Sequence, residues 1–233
     1  MQLVVRKDLL DVLFEDNHLL VIVKPAGLAT MGVAEGTPSA VTLAKRYLKQ
    51  EYDKPGNVYV GVVSRLDALV SGVLVLARTS KAAARLSEQF RESQPEKTYW
   101  AAVEAVPDPP EDSLMQWVLK DDRQRCMTVV KPHAKGAQRA RLSYRTLREL
   151  SAGALVEVKL QTGRKHQIRL QMAEIGCPIL GDKKYGSRRP FPAGIALHAR
   201  RLAIEHPTKK TRLEFVAPLP AAWRKLGIEE ENV

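Results

Sequence analysis

Arg65 and Asp67 stand two residues apart in a short polar turn between two apolar, strand-like runs, Gly61–Val63 and Val73–Ala77. A carboxylate at the end of a strand, on a loop held by buried strands, is well placed for chemistry as a nucleophile or as a base. Aspartate and serine also begin turns for purely structural reasons. The turn by itself therefore leaves both roles open, and the rest of the chain has to decide.

A second stretch rich in chemical groups runs Gln161–Thr162–Gly163–Arg164–Lys165–His166–Gln167–Ile168–Arg169 and on to Met172. It reads as the start of a helix after a strand. Cations in the first turns of a helix oppose the helix dipole, which favours anions there. A site that holds a phosphate or carboxylate at the helix start would tolerate them. At helical spacing, His166 and Arg169 share a face.

Charge points the same way. The chain has 233 residues with 37 Lys and Arg against 26 Asp and Glu, a formal net charge of +11. Such an excess favours a polyanionic partner, and nucleic acid leads because phosphate neutralisation supplies much of such binding. The loop Lys131–Gly136 suits either a solvated surface or an RNA contact. The two cysteines, Cys126 and Cys177, have no metal-site spacing and outline no disulfide framework. A reducing, cytoplasmic home is the simplest reading. Lys7, Asp8, Asp11, Glu15 and Asp16 interrupt every apolar run near the N-terminus, and no run approaches the roughly 20 apolar residues of a membrane span.

The elements that must position these groups follow from periodicity. Val12–Phe14 and His18–Val23 read as strands about a polar turn, which Lys24–Pro25–Ala26–Gly27 ends. Ser39 to Tyr52 reads as a helix, Val58–Val63 as a strand leading to the Asp67 turn, and Thr79 or Ser80 as the cap of a helix running to Glu92. Lys97–Ala105 is a strand with Tyr99 and Trp100 on opposite faces. Pro107–Asp112 reads as a loop. Two strands follow between Leu114 and Val130, then a hairpin of Arg139–Glu149 and Ala154–Leu160. Ile195–Ile204 and Arg212–Val216 are strands, and Ala221–Leu226 a short helix. Strands outnumber helices and many are joined by short turns, which predicts an α+β fold with a mixed, mostly antiparallel central sheet and flanking helices.

Taken in order, these stretches resemble the catalytic domain of the pseudouridine synthases, in the RluA-like branch. Arg65–Leu66–Asp67 with Ser71–Gly72 resembles the family's catalytic-aspartate motif, Lys97–Thr98–Tyr99 its Lys-x-Tyr motif, and Gly163–Arg164–Lys165–His166–Gln167–Ile168–Arg169 its Gly-Arg-x-His-Gln-Ile-Arg motif. Pro178–Asp182 with Tyr185–Gly186, Leu197–Ala199, and the opening Glu15–Asp16 to Lys24–Gly27 extend it over nearly the whole chain. The family usually has His at position 64, Thr at 70 and His at 171, where this chain has Ser64, Val70 and Gln171. These positions flank the catalytic groups rather than replace them.

The resemblance implies the pseudouridine synthase fold in a single catalytic domain spanning residues 1–233, arranged as two sub-lobes, with no separate N-terminal RNA-binding domain. It implies an enzyme that isomerises uridine within ribosomal or transfer RNA, without cofactor or metal. The expected partner is RNA rather than DNA or membrane, and the expected state a monomer. Asp67 is then the catalytic carboxylate, Arg169 its cationic partner and Tyr99 the phenol beside the uracil. Arg65 helps displace the extracted nucleotide, and Arg164 and Lys165 contact RNA. His166, grouped with them as an RNA-binding residue, is expected to orient the helix start rather than act as an acid. Asp182 and His198 are expected to tie loops together. Two rivals differ in class. A glycoside or nucleoside hydrolase usually needs two carboxylates across the bond, and this chain shows one among arginines. A non-catalytic RNA-binding or ribosome-assembly protein retaining the fold is the alternative.

Overall fold

The computed structural model describes residues 10–228. In chain order the elements are β1 Asp11–Glu15, β2 Leu19–Lys24, α1 Ala40–Glu51, β3 Gly61–Val62, β4 Ser71–Ala77, α2 Ser80–Arg91, β5 Glu96–Val103, β6 Glu111–Asp121, β7 Cys126–Val130, β8 Gln138–Leu150, β9 Gly153–Leu160, α3 Gln167–Glu174, β10 Leu197–Glu205 and β11 Arg212–Val216. Short 3-10 turns lie at Lys183–Tyr185, between α3 and β10, and at Ala221–Leu226, after β11. The class is α+β, and the strand pairings described below are all antiparallel. No described helix is long and apolar enough to cross a membrane. The chain divides into two compact units, Met1–Pro95 with Arg201–Pro218, and Glu96–Arg200 with Leu219–Val233.

In the first unit β2 lies between β1 and β4, with Leu19 opposite Ala77 and Lys24 opposite Gly72. Both strands are near-continuous apolar runs, as expected of strands covered on both faces. One face carries Leu20, Ile22, Leu74 and Leu76 against Leu43, Ala44, Tyr47 and Leu48 of α1. The other carries Leu19, Val21, Val73 and Val75 against Ala82 and Leu86 of α2, with Leu202, Ile204 and Phe215. Ser39 and Thr42 close a capping box at the start of α1, and Thr79 caps α2 through the Ala82 N–H. The strand expected over Val58–Val63 shrinks to Gly61–Val62. Val58 and Val60 are buried in the α1 core as irregular chain. Gly61 passes so close to α2 that a Cβ there would sit 2.8 Å from the Ala83 Cβ.

The second unit is an antiparallel succession in which β5 pairs β9, β9 pairs β8, β8 pairs β6, and β6 pairs β7. The expected loop Pro107–Asp112 ends earlier than the sequence suggests: Glu111 and Asp112 already face Arg145 and Tyr144 across β8. Acidic residues on this exposed stretch hide the strand from a hydrophobic-pattern reading. Gly153 turns β8 into β9 at φ 111°, and a Cβ there would fall 1.8 Å from the Val103 carbonyl oxygen. Only glycine fits.

Candidate active site

Asp67 lies in the first unit between β3 and β4, half-buried on a loop with no regular structure of its own. Two buried polar residues hold that loop. The Thr30 hydroxyl donates to the Leu66 carbonyl at 2.8 Å and accepts from the Leu66 N–H at 3.1 Å. The ammonium of Lys24, 0% exposed at the end of β2, donates to the carbonyls of Pro25 at 2.8 Å, Leu28 at 2.7 Å and Ala68 at 3.3 Å. The Gly27 N–H reaches the same Ala68 carbonyl at 2.7 Å, and the Val70 N–H returns to the Asp67 carbonyl at 3.1 Å. Residues on both sides of Asp67 are thus tied to the segment after β2.

Burial lowers the Lys24 amine to about 8, and the negative charge of Asp67 acts in the opposite sense. The lysine therefore both clamps the loop and feels its carboxylate. In the sequence Lys24 belongs to the segment that ends the strand and to the Lys24–Gly27 stretch of the family resemblance, but neither reading gives it a role in holding the Asp67 loop. Its local signal is a charge closing an otherwise apolar strand, Leu19–Lys24. Arg65 is exposed beside Asp67, and so is Leu69. Val70, at one of the positions that depart from the family pattern, is 3% exposed and serves packing.

In the second unit, Tyr99 is half-buried on β5 opposite Val158. Arg169 is 3% exposed on α3. Its Nε donates to Oδ2 of Asp182 and its Nη2 to Oδ1, each at 2.7 Å. This bidentate geometry fixes the plane of the guanidinium. Asp182, expected to tie loops together, joins its loop to α3 through this pair, and the sequence does not single out Arg169 as its partner. Ring contacts add to it: the Arg169 guanidinium lies 5.1 Å from the centre of the Tyr185 ring.

Tyr185 links three segments. Its hydroxyl accepts from the Met127 N–H at 2.9 Å and lies 2.8 Å from His166 Nδ1. The one hydroxyl thus joins the β7 backbone to the imidazole that precedes α3. Burial raises the Tyr185 hydroxyl's pKa, against the lowering effects of the Met127 N–H and of Arg169, so the phenol stays protonated near neutral pH.

The expected helix over the basic run begins later than the sequence suggests. α3 starts at Gln167, and His166 occupies the left-handed region at φ 52° just before it. Arg164 and Lys165 therefore precede the helix instead of opposing its dipole, and His166 does not share a helical face with Arg169. The run instead forms a turn braced by Gln167, whose Oε1 accepts from the Thr162 hydroxyl at 2.7 Å and from the Arg164 N–H at 3.0 Å. Arg164 and Lys165 are exposed, and Arg164 Nε donates to the Arg139 carbonyl at 3.0 Å. His198 is fully buried with its ring edge-on to Trp223.

These units offer an anchored carboxylate in one and, in the other, a braced guanidinium and a strand-borne phenol, with exposed cations nearby. The family model described as RNA pseudouridylate synthase matches residues 18–174, a span that includes Asp67, Tyr99 and Arg169. The chain is 34% identical over 218 residues to the dual-specificity RNA pseudouridine synthase RluA of Escherichia coli, covering 89% of this chain and 92% of that protein. It is 33% identical over 223 residues to an uncharacterised RNA pseudouridine synthase of Synechocystis, covering 93% of this chain and 68% of that one. Among solved structures it is similar to human RNA pseudouridylate synthase domain containing 4, with a TM-score of 0.78, 27% identity and 94% of both chains covered.

Proposed function

The chain belongs to the RNA pseudouridylate synthase family, and from that premise we propose that Asp67 is the carboxylate on which its reaction turns, with Arg169 and Tyr99 serving the same step. The reaction is the isomerisation of uridine to pseudouridine within RNA. The bond between N1 and C1′ breaks, the uracil turns, C5 joins C1′, and the C5 proton leaves while N1 regains one. The target base must first leave its stack.

The observation that carries the assignment is the clamping of the Asp67 loop by Lys24 and Thr30. A buried lysine holding three carbonyls is an expensive arrangement for an ordinary surface turn, and it fits a loop whose carboxylate must be held in place. Asp67 attacks the nucleoside or withdraws a sugar proton, and both roles require it ionised. A guanidinium partner favours that form. Arg169, already oriented by Asp182, is the group we assign to this. The phenol of Tyr99 lies against the uracil and assists loss of the C5 proton. Arg65 takes part in displacing the nucleotide, and Arg164, Lys165 and His166 border the RNA path.

The substrate we propose is structured ribosomal or transfer RNA, acted on by a monomer in the cytoplasm, with both compact units forming one catalytic domain. RluA is described as dual-specificity, and a relative in Xylella fastidiosa as a large-subunit ribosomal pseudouridine synthase. The test is tritium release from RNA carrying 5-tritiated uridine, isolated from cells lacking this protein. Release that vanishes in Asp67→Ala while RNA binding persists supports the reading. Release that persists in Asp67→Ala refutes the assignment. Mapping pseudouridines in cells with and without the protein identifies the RNA.

A further inference from the structure

We propose that the ammonium of Lys97 binds a backbone phosphate of the RNA substrate next to the target uridine, an inference that rests on reading Tyr99 as a residue facing that uridine. Side chains alternate along a strand, so Lys97 and Tyr99 leave β5 on the same face. Their partners on β9 are Leu160 and Val158. Leu160 in turn faces Leu142 of β8, two residues from Ala140, which packs against Leu170 of α3. Leu170, one residue after Arg169, therefore lies on the same side of the sheet as Lys97 and Tyr99, over β8. On the opposite face Thr98 and Trp100 are buried, and further along it Arg145 pairs with Glu157 at 2.9 Å.

Among the described residues, Lys24, Arg169 and Arg78 are cations taken out of water whose charged ends meet partners within the protein. Lys24 has three carbonyls. Arg169 has Asp182, and Arg78 has Glu15 at 2.8 Å. Lys97 differs: it is half-buried, burial alone depresses its amine, and no hydrogen bond or salt bridge joins that amine to another described residue. A desolvated, unpaired charge opposes folding, and an apolar residue of the same length would be better there. Such a local conflict is tolerated where function needs it. The anion that the family's substrate brings to this face is a phosphodiester, and lysine binds phosphate as a point charge. A competing explanation is that the stem covers apolar surface while the amine reaches water.

Lys97→Met separates the two, because methionine keeps the stem and removes the charge. Tritium release from bulk 5-tritiated RNA, isolated from cells lacking this protein, is measured for wild type, Lys97→Met, Lys97→Arg and Asp67→Asn over a range of salt. The expected result for Lys97→Met is a KM raised about tenfold or more with kcat within about twofold of wild type. The logarithm of kcat/KM should fall less steeply with log salt, by about 0.7 in slope. Lys97→Arg should restore most of the loss. The thermal midpoint of Lys97→Met should equal or exceed that of wild type. Wild-type KM and salt slope in Lys97→Met overturn the proposal, as does a fall confined to kcat. A lowered thermal midpoint overturns it too, because it assigns the residue to packing. If Asp67→Asn releases tritium like wild type, the reading of the site itself fails, whatever Lys97 does.

Discussion

Arg169 and Asp182 form a bidentate pair inside the second unit, with side chains 4% and 1% exposed and a closest approach of 2.7 Å. The pair serves orientation more than stability, since two charges taken out of water gain little net energy from each other. Asp182→Ala leaves the guanidinium buried without this partner and should cost about 3–5 kcal/mol, read as a lower urea midpoint. Arg169→Met combined with Asp182→Leu should recover most of that stability yet leave tritium release abolished. Restored release in the double variant would remove the ion pair from the reaction.

Thr30 and Leu66 exchange two hydrogen bonds across 36 residues of chain. Thr30→Val keeps the shape and deletes both. It should destabilise by about 1–3 kcal/mol and lower kcat more than it raises KM, because the carboxylate of the next residue, Asp67, loses its anchor. Thr30→Ser should behave like wild type. Steady-state tritium release with urea unfolding checks both arms.

Lys24 gives a pH signature. Its amine titrates at about 8 in the folded protein against 10.5 when unperturbed, because burial outweighs the attraction of Asp67. Between those values the unfolded chain holds a proton that the folded one has released. Folding stability from this group therefore rises as pH climbs from about 8 toward 10.5. Urea midpoints across that range should rise more steeply in wild type than in Lys24→Met. In Asp67→Asn the rise should begin at lower pH, since the charge that supports the ammonium is gone. Identical pH profiles in all three proteins would contradict this account. Independently, Lys24→Met should lower stability at neutral pH by about 1–3 kcal/mol for each carbonyl left unpaired and dry.

Tyr185→Phe tests the brace before α3. The change deletes the acceptor of the Met127 N–H and the partner of His166. It should cost about 1–3 kcal/mol and slow the reaction through misplacement of the segment that leads into Arg169. Amide exchange at Met127 should accelerate. An unaltered exchange rate would show that the phenol is not what protects that N–H.

Much of the scaffold was legible because it rests on local chemistry. The strands Leu19–Lys24 and Ser71–Ala77 announce themselves as apolar runs, α1 and α2 as amphipathic helices with Ser39 and Thr79 at their caps. The turn bearing Asp67 and the strand bearing Tyr99 lie where the pattern predicts them. Elements failed where local cues conflicted with packing. The strand expected from Val58 is largely irregular because its valines are held by α1, not by a ladder. The strand starting at Glu111 is polar and exposed. The basic run before Gln167 looks helical by spacing, yet His166 turns left-handed at φ 52° and delays the helix.

The order of the motifs, the surplus of cations and the identity of the reactive side chains are properties of the chain itself, since composition and short-range spacing need no fold to exist. What holds those groups could not be read there. Lys24 clamps a carbonyl 44 residues away, Tyr185 receives an N–H from 58 residues away, and Asp182 grips a guanidinium 13 residues back. Such bonds form only after sheets and helices have excluded water and brought remote segments within 3 Å or so of one another. Burial makes each of them costly to leave unmade, and burial belongs to the folded chain alone.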